Sequence, residues 1–226
     1  MLAGCPASRP PPSPPWRFIF AAVFHVKQPD APSLDVSRET ELRLREYLRL
    51  LLSWNAKINL IAAASEEEVW HRHVLDSWQL RPLLPDGALA DLGSGGGLPG
   101  IVIAIGREQE THLVESDRRK AAFLMEAARS LGLNHVRVHP TRIEAARLPP
   151  IQVVTARALA PLRELVTHAA RILAPDGVAV LPKGRNAEAE LTATAPHWLM
   201  QTERFTSRTD ALATILRLSE IRPAGV

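Results

Sequence analysis

At 226 residues the chain is long enough for one complete core. Hydrophobic residues make up 46% and charged residues 23%, the balance of an ordinary soluble globule rather than a fibrous or unfolded chain. The single cysteine, Cys5, excludes disulfides within the chain, a cysteine zinc cluster and thiol chemistry at an internal site. No metal site is expected, and a reducing cytoplasm is the expected compartment. No apolar run approaches the ~20 residues that span a bilayer, so a membrane is not an expected partner.

A net charge of +3 hides a partition. Residues 34–117 carry eight basic and fourteen acidic side chains, whereas residues 118–185 carry twelve basic and only four acidic. A block eight charges positive attracts polyanions and speeds their encounter, which points to nucleic acid. Arg118, Arg119, Lys120, Lys183 and Arg185 are its candidate RNA contacts.

In chain order, residues 1–33 form a leader with seven of the nineteen prolines before residue 30, too stiff and sparse for a core and expected to be disordered. Phe24-His25-Val26-Lys27-Gln28 back-translates as TTT-CAC-GTG-AAA-CA, most of a palindrome resembling chromosome-partition sites. Residues 1–22 are thus expected to be dispensable, with Val23 as an alternative start. A helical extension follows over 34–84. Leu42, Leu44, Leu48, Leu51 and Leu52 recur near 3.6 spacing after a cap at Asp35 or Ser37. Ser65-Glu66-Glu67-Glu68 is a capping box opening a second helix through Val69, Trp70, Val74 and Trp78.

From residue 85 to 226 the pattern alternates. Strands are predicted at 88–92, 111–115, 135–139, 151–156 and 177–182, and helices at 99–107, 117–131, 161–173 and 186–194. Two more strands, near 197–205 and 211–218, complete the sheet, the last reading Leu212, Thr214, Leu216, Leu218. Such alternation implies right-handed crossovers and a doubly wound, mostly parallel α/β sheet, with ligands at the carboxyl ends of its strands.

One such end carries Asp91-Leu92-Gly93-Ser94-Gly95-Gly96-Gly97-Leu98-Pro99-Gly100. A glycine turn between strand and helix lets the backbone approach a cofactor without Cβ atoms in the way, and Gly95 and Gly97 open a G-x-G-x-x-G pattern. The next strand ends in Glu115, placed to accept hydrogen bonds from ribose hydroxyls. Asp91 would repel a pyrophosphate, and a proline sits in the first turn of the helix. Both suit S-adenosylmethionine, with its cationic sulfonium and amino-acid tail, over a dinucleotide. A nicotinamide-dependent oxidoreductase on the same turn is the alternative, and a non-catalytic RNA-binding module is a third class.

The acceptor is constrained by absences. Without an internal cysteine the chain cannot run C5-pyrimidine methylation through a covalent thiolate. It also lacks the Asn/Asp-Pro-Pro-aromatic element of exocyclic amino methylation, which leaves ring nitrogens and ribose hydroxyls. Arg157 and Lys183 are candidates for positioning the acceptor. The structural alternative for Arg157 is an ion pair with Asp91 or Glu115. His73 and Asp76 read as architectural links between the extension and the sheet.

Trp54-Asn55-x-x-Ile58-Asn59-Leu60, Arg72-His73-x-Leu75-Asp76-Ser77, the turn Asp91–Gly100, Ala156-Arg157-Ala158 and Lys183-Gly184 occur in this order. Together they resemble the RsmG family, also called glucose-inhibited division protein B, over roughly residues 35–218. The resemblance implies a class I methyltransferase (Rossmann-like) fold with S-adenosylmethionine as donor. It implies guanine N7 in the decoding-region loop of bacterial 16S rRNA as acceptor, reached as 16S rRNA or within the small ribosomal subunit; a monomer is expected. By the same resemblance Gly93 and Leu98 line the cofactor site, Ile143 and Glu144 lie beside the adenine, and Arg157 ends the fourth strand. Many relatives carry an Arg-His pair entering the last strand. This chain reads Arg208-Thr209-Asp210-Ala211 there.

Overall fold

The computed structural model describes residues 36–62 and 64–225. The leader, its back-translated palindrome and the Asp35 cap lie outside them. Helix α1 (Arg38–Asn55) starts at Ser37, whose hydroxyl accepts from Thr40 N, with Glu39 and Glu41 in the first turn where the helix dipole favours acids. Its buried stripe is Leu44, Tyr47, Leu48 and Leu51. Leu42 lies 57% exposed and Leu52 is only half-buried, because Tyr47 takes the core place between Leu44 and Leu51.

The capping box at Ser65 and Glu68 forms as its spacing predicts and opens α2 (Glu66–Val69). That helix continues through a π-helical stretch, Trp70–Leu75, into α3 (Asp76–Trp78). The wider turn of a π stretch rotates the side chains beyond it relative to those before it. Here it carries Arg72 and His73.

The sheet has seven strands in the order β3-β2-β1-β4-β5-β7-β6. They are β1 (Leu89–Leu92), β2 (Thr111–Val114), β3 (Val136–His139), β4 (Ile151–Thr155), β5 (Leu173–Lys183), β6 (Trp198–Thr206) and β7 (Thr214–Pro223). The first five run parallel and β7 antiparallel to both neighbours. Helices α4 (Gly100–Ile105), α5 (Arg118–Ser130), α6 (Leu162–Ile172) and α7 (Ala187–Thr194) cover its faces. Order reverses between β1 and β4, and a doubly wound sheet binds ligands at that switch point.

Two strands depart from expectation. β5 begins directly at the end of α6, and β7 runs five residues beyond Leu218 because it pairs with β6 as far as Trp198↔Pro223. Leu212 is not part of β7. It lies 59% exposed in the preceding turn, and the strand buries Ile215 on one face and Leu216 and Leu218 on the other. Simple alternation fails where both faces of a strand are covered.

Leu44, Tyr47, Leu48 and Leu51 of α1 join Val69 and Val74 with Ile101, Leu113, Phe123 and Leu124 in one buried cluster. The helical extension and the sheet therefore share a core. Trp54 packs against Phe123, while Arg45 lies over Trp70 and Arg81 over Trp78, so all three rings serve packing.

Candidate functional site

The glycine turn is fastened to the strand beside it. Gly93 N and Ser94 N both donate to Val114 O, at 2.9 and 3.1 Å. Gly93 has φ +65°, a backbone conformation that strains other residues, and a Cβ there would also push against the exposed Leu159 side chain at 2.5 Å. Gly95 has φ +52°, and the nearest atom to a Cβ built on it is Gly93 O at 3.8 Å. That open side is the cradle a cofactor needs. Pro99 caps α4 rather than sitting inside its first turn, and the helix starts at Gly100. The Tyr47 hydroxyl donates to Gly96 O from beneath. Burial pushes its phenol above the usual range, so it is a neutral donor. Motif reading missed Tyr47, although it is the chain's only tyrosine and sits in the apolar stripe of α1.

Asp91 is 1% exposed and braces the turn. Oδ2 accepts from Gly100 N at 3.2 Å, and Oδ1 accepts from Thr155 Oγ1 at 2.9 Å. Burial pushes its carboxyl up to about 6, against the pull of those hydrogen bonds. Glu115, 8% exposed, follows the end of β2. Its Oε2 accepts from Gly95 N and its Oε1 from Asp117 N, both at 2.8 Å. A carboxylate accepts up to about four hydrogen bonds, so both oxygens retain capacity for a diol. The open cradle at Gly95, together with this held carboxylate, fits the adenosine of S-adenosylmethionine. Leu98 is 6% exposed and belongs to the core cluster of α1 and α4.

Ile143 and Glu144 lie in a 3-10 turn, Ile143–Ala145, after β3. The Arg171 guanidinium donates to both of their carbonyls. Sequence reading missed Arg171, because one arginine on an amphipathic helix looks like any solvated cation. Ile143 is half-buried and Glu144 exposed.

Arg157 does not pair with Asp91 or Glu115. Its Nη1 lies 3.4 Å from Asp76 Oδ2 and donates to Arg72 O at 3.2 Å, and both charged side chains are 18% exposed. Asp76 Oδ1 also accepts from Gln79 Nε2 and Thr209 Oγ1, each at 2.8 Å. The aspartate thus ties α3 to the end of β4 and to the turn before β7. His73 is held neutral at neutral pH, its pKa pushed down to about 4 by burial and then by Arg157.

Lys183 is not a free surface cation. Its ammonium lies 2.8 Å from Glu190 Oε2, and its side chain is 11% exposed. Glu190 Oε2 also accepts from Leu162 N at 2.6 Å. Arg185, two residues on, is exposed. Arg118 and Arg119 are exposed and Lys120 half-buried at the start of α5, where Asp117 accepts from Arg119 N and Lys120 N. Three cations at a helix N-terminus oppose the dipole, which argues for a use beyond the helix. Arg157 and Lys183 share the wall of a cavity of about 830 Å³ at the carboxyl ends of β4 and β5.

Comparison with known proteins agrees with this geometry. The family model described as rRNA small subunit methyltransferase G (GidB) matches residues 40–214. Ribosomal RNA small subunit methyltransferase G of Acidiphilium cryptum is 57% identical over 208 residues, covering 84% of this chain and 95% of that protein. Its namesake in Rhodospirillum centenum is 52% identical over 193 residues, covering 84% and 89%. Among solved structures, an O-methyltransferase from Bacillus cereus in complex with SAH superposes with a TM-score of 0.52. It is 14% identical, and the match covers 77% of this chain and 90% of that one. That likeness shows the class I methyltransferase fold. The chain belongs to the rRNA small subunit methyltransferase G family.

Proposed function

We propose that the protein transfers a methyl group from S-adenosylmethionine to guanine N7 in the decoding-region loop of bacterial 16S rRNA. The observation that carries the reading is the pairing of an open glycine cradle with a fixed carboxylate: Gly95 N donates to Glu115 Oε2 at 2.8 Å, in a chain of this family. Bound there, S-adenosylmethionine supplies a methyl group on a cationic sulfur. Guanine N7 has a lone pair and no proton, so the protein need supply no general base. Its task is alignment, with the reacting atoms ~3 Å apart and in line.

Each residue then has a physical task. Glu115 accepts the ribose hydroxyls, and the Ile143–Ala145 turn, pinned by Arg171, borders the adenine. Asp91 faces the cationic end while holding Gly100 and Thr155. Arg157 can donate to guanine O6 or to a phosphate, and N7 stays free. Arg118, Arg119, Lys120 and Arg185 attract the RNA backbone. The protein acts in the cytoplasm, on 16S rRNA or on the small subunit that contains it. Incubation of deproteinised rRNA and of purified small subunits with methyl-labelled cofactor, followed by mapping of the base, tests the reaction. Label recovered as 7-methylguanine at one position is expected, and label in any other base or in ribose refutes it.

A further inference from the structure

We propose that Asp210 reads the Watson–Crick edge of the acceptor guanine and stabilises the charge the base gains during transfer. This rests on guanine N7 as the acceptor. The cavity at the carboxyl ends of β4 and β5 is lined by three carboxylates: Asp76, Glu190 and Asp210. Asp76 is committed to Arg157, Gln79 and Thr209. Glu190 is committed to Lys183 and Leu162 N. Asp210 is different. Its Oδ1 accepts only from Leu212 N, at 2.9 Å, in a local turn, and it makes no ion pair among the described residues.

An acid in a cavity that must admit a polyanion is repulsive unless it meets donors. Guanine alone among the four bases offers two adjacent donors, N1–H and N2–H, to one carboxylate. When N7 faces the methyl donor, that edge lies on the far side of the base. The loop bearing Asp210 is not loose. Thr209 donates to Asp76, Gln79 donates to Ser207 Oγ at 3.0 Å, and Asp210 N donates to Ser207 Oγ at 3.3 Å. The backbone of Asp210 is thus tied to the same network that holds Arg157, while its exposed carboxylate keeps Oδ2 free for a ligand.

The charge balance gives this contact a kinetic role. The N7 lone pair forms the new C–N bond, the C–S pair stays with sulfur, and the sulfonium becomes a neutral thioether. The positive charge passes to the guanine ring, and no proton leaves. N1–H and N2–H become more acidic as that charge grows, so their hydrogen bonds to a carboxylate strengthen toward the transition state. An interaction stronger there than in the ground state raises kcat.

Asp210→Asn tests the proposal, since its side-chain oxygen can still accept from Leu212 N while its amide cannot take two donors. Small-subunit RNA is made by ligation with guanosine or inosine at the methylated position and supplied both deproteinised and as reconstituted particles. Inosine keeps N7, O6 and N1–H but lacks the N2 amino group. Wild-type protein should lose about tenfold or more on inosine, a bidentate contact being worth that much. Asp210→Asn should lose about tenfold to a hundredfold on guanosine, mostly in kcat, with unchanged cofactor affinity and little further loss on inosine. Asp210→Ala should behave the same way. An inosine penalty in the variant equal to that of wild type, or a variant rate within about twofold of wild type, overturns the proposal. Loss of cofactor binding in both variants also overturns it, because the residue then acts on the fold. Absence of 7-methylguanine in the wild-type reaction is a separate result that removes the acceptor assignment and this contact with it.

Discussion

Asp91 links turn and sheet in one side chain, and in the proposed site it also faces the cofactor. Burial lifts its carboxyl from an ordinary value near 3.8 to about 6. A raised acid stabilises the fold fully below its unfolded value, and that contribution is lost as pH rises through about 6. A cation beside it favours the ionised form. Cofactor binding should therefore release a proton near pH 6, and affinity should climb up to about tenfold per pH unit below that point, then level off by pH 7. Titration calorimetry in two buffers of different protonation enthalpy reads the proton count directly. A count of zero at pH 6 would separate Asp91 from the cationic end of the cofactor. Asp91→Ala and Glu115→Ala should each weaken cofactor binding about tenfold to a hundredfold, the cost of losing one hydrogen bond in a dry site. Folded variants that bind as well as wild type would refute the assignment. Tyr47→Phe probes the support beneath the turn. It leaves Gly96 O without its buried donor and should cost about 1–3 kcal/mol of stability by denaturant titration.

At the scale of elements, α5 carries the clearest electrostatic prediction. Arg118, Arg119 and Lys120 sit at its positive end, so they weaken the helix by themselves. Charge reversal at all three should stabilise the helix start slightly, weaken RNA binding and flatten its dependence on salt. Affinity measured from about 50 to 200 mM salt gives the slope, and cofactor affinity serves as the control. An unchanged slope would leave these residues as a solvated helix face. Legibility in the sequence divides between local and distant chemistry. The strands β1, β2 and β4, the capping box and the glycine turn were readable because each rests on local features: apolar runs, a side chain capping its own helix, and backbone that only glycine tolerates. Arg157 and Lys183 were readable as residues but not as partners. Asp76 and Glu190 lie 81 residues before the one and 7 after the other, and nothing local announces such pairings. The extra length of β7 was hidden because its last residues are held by β6 rather than by an apolar pattern.

For the whole molecule, the decisive feature is that the helical extension and the sheet have one core. Leu48, 1% exposed, lies in the same buried cluster as Ile101 of α4 and Phe123 of α5. Tyr47, beside it, holds the glycine turn. An extension packed in this way cannot unfold without uncovering one face of the sheet. Leu48→Ala should therefore cost about 2–5 kcal/mol, the range for a leucine truncated in a packed core. The loss should appear in one cooperative transition, with amides of α1 and β1 losing hydrogen-exchange protection together. Saturating cofactor should recover part of the lost stability, by RT ln(1 + [L]/Kd), because it binds the folded chain and not the unfolded one. Hydrogen exchange in which α1 opens well before β1, with cofactor protecting β1 alone, would show instead that the extension is a separate unit resting on a self-sufficient methyltransferase sheet.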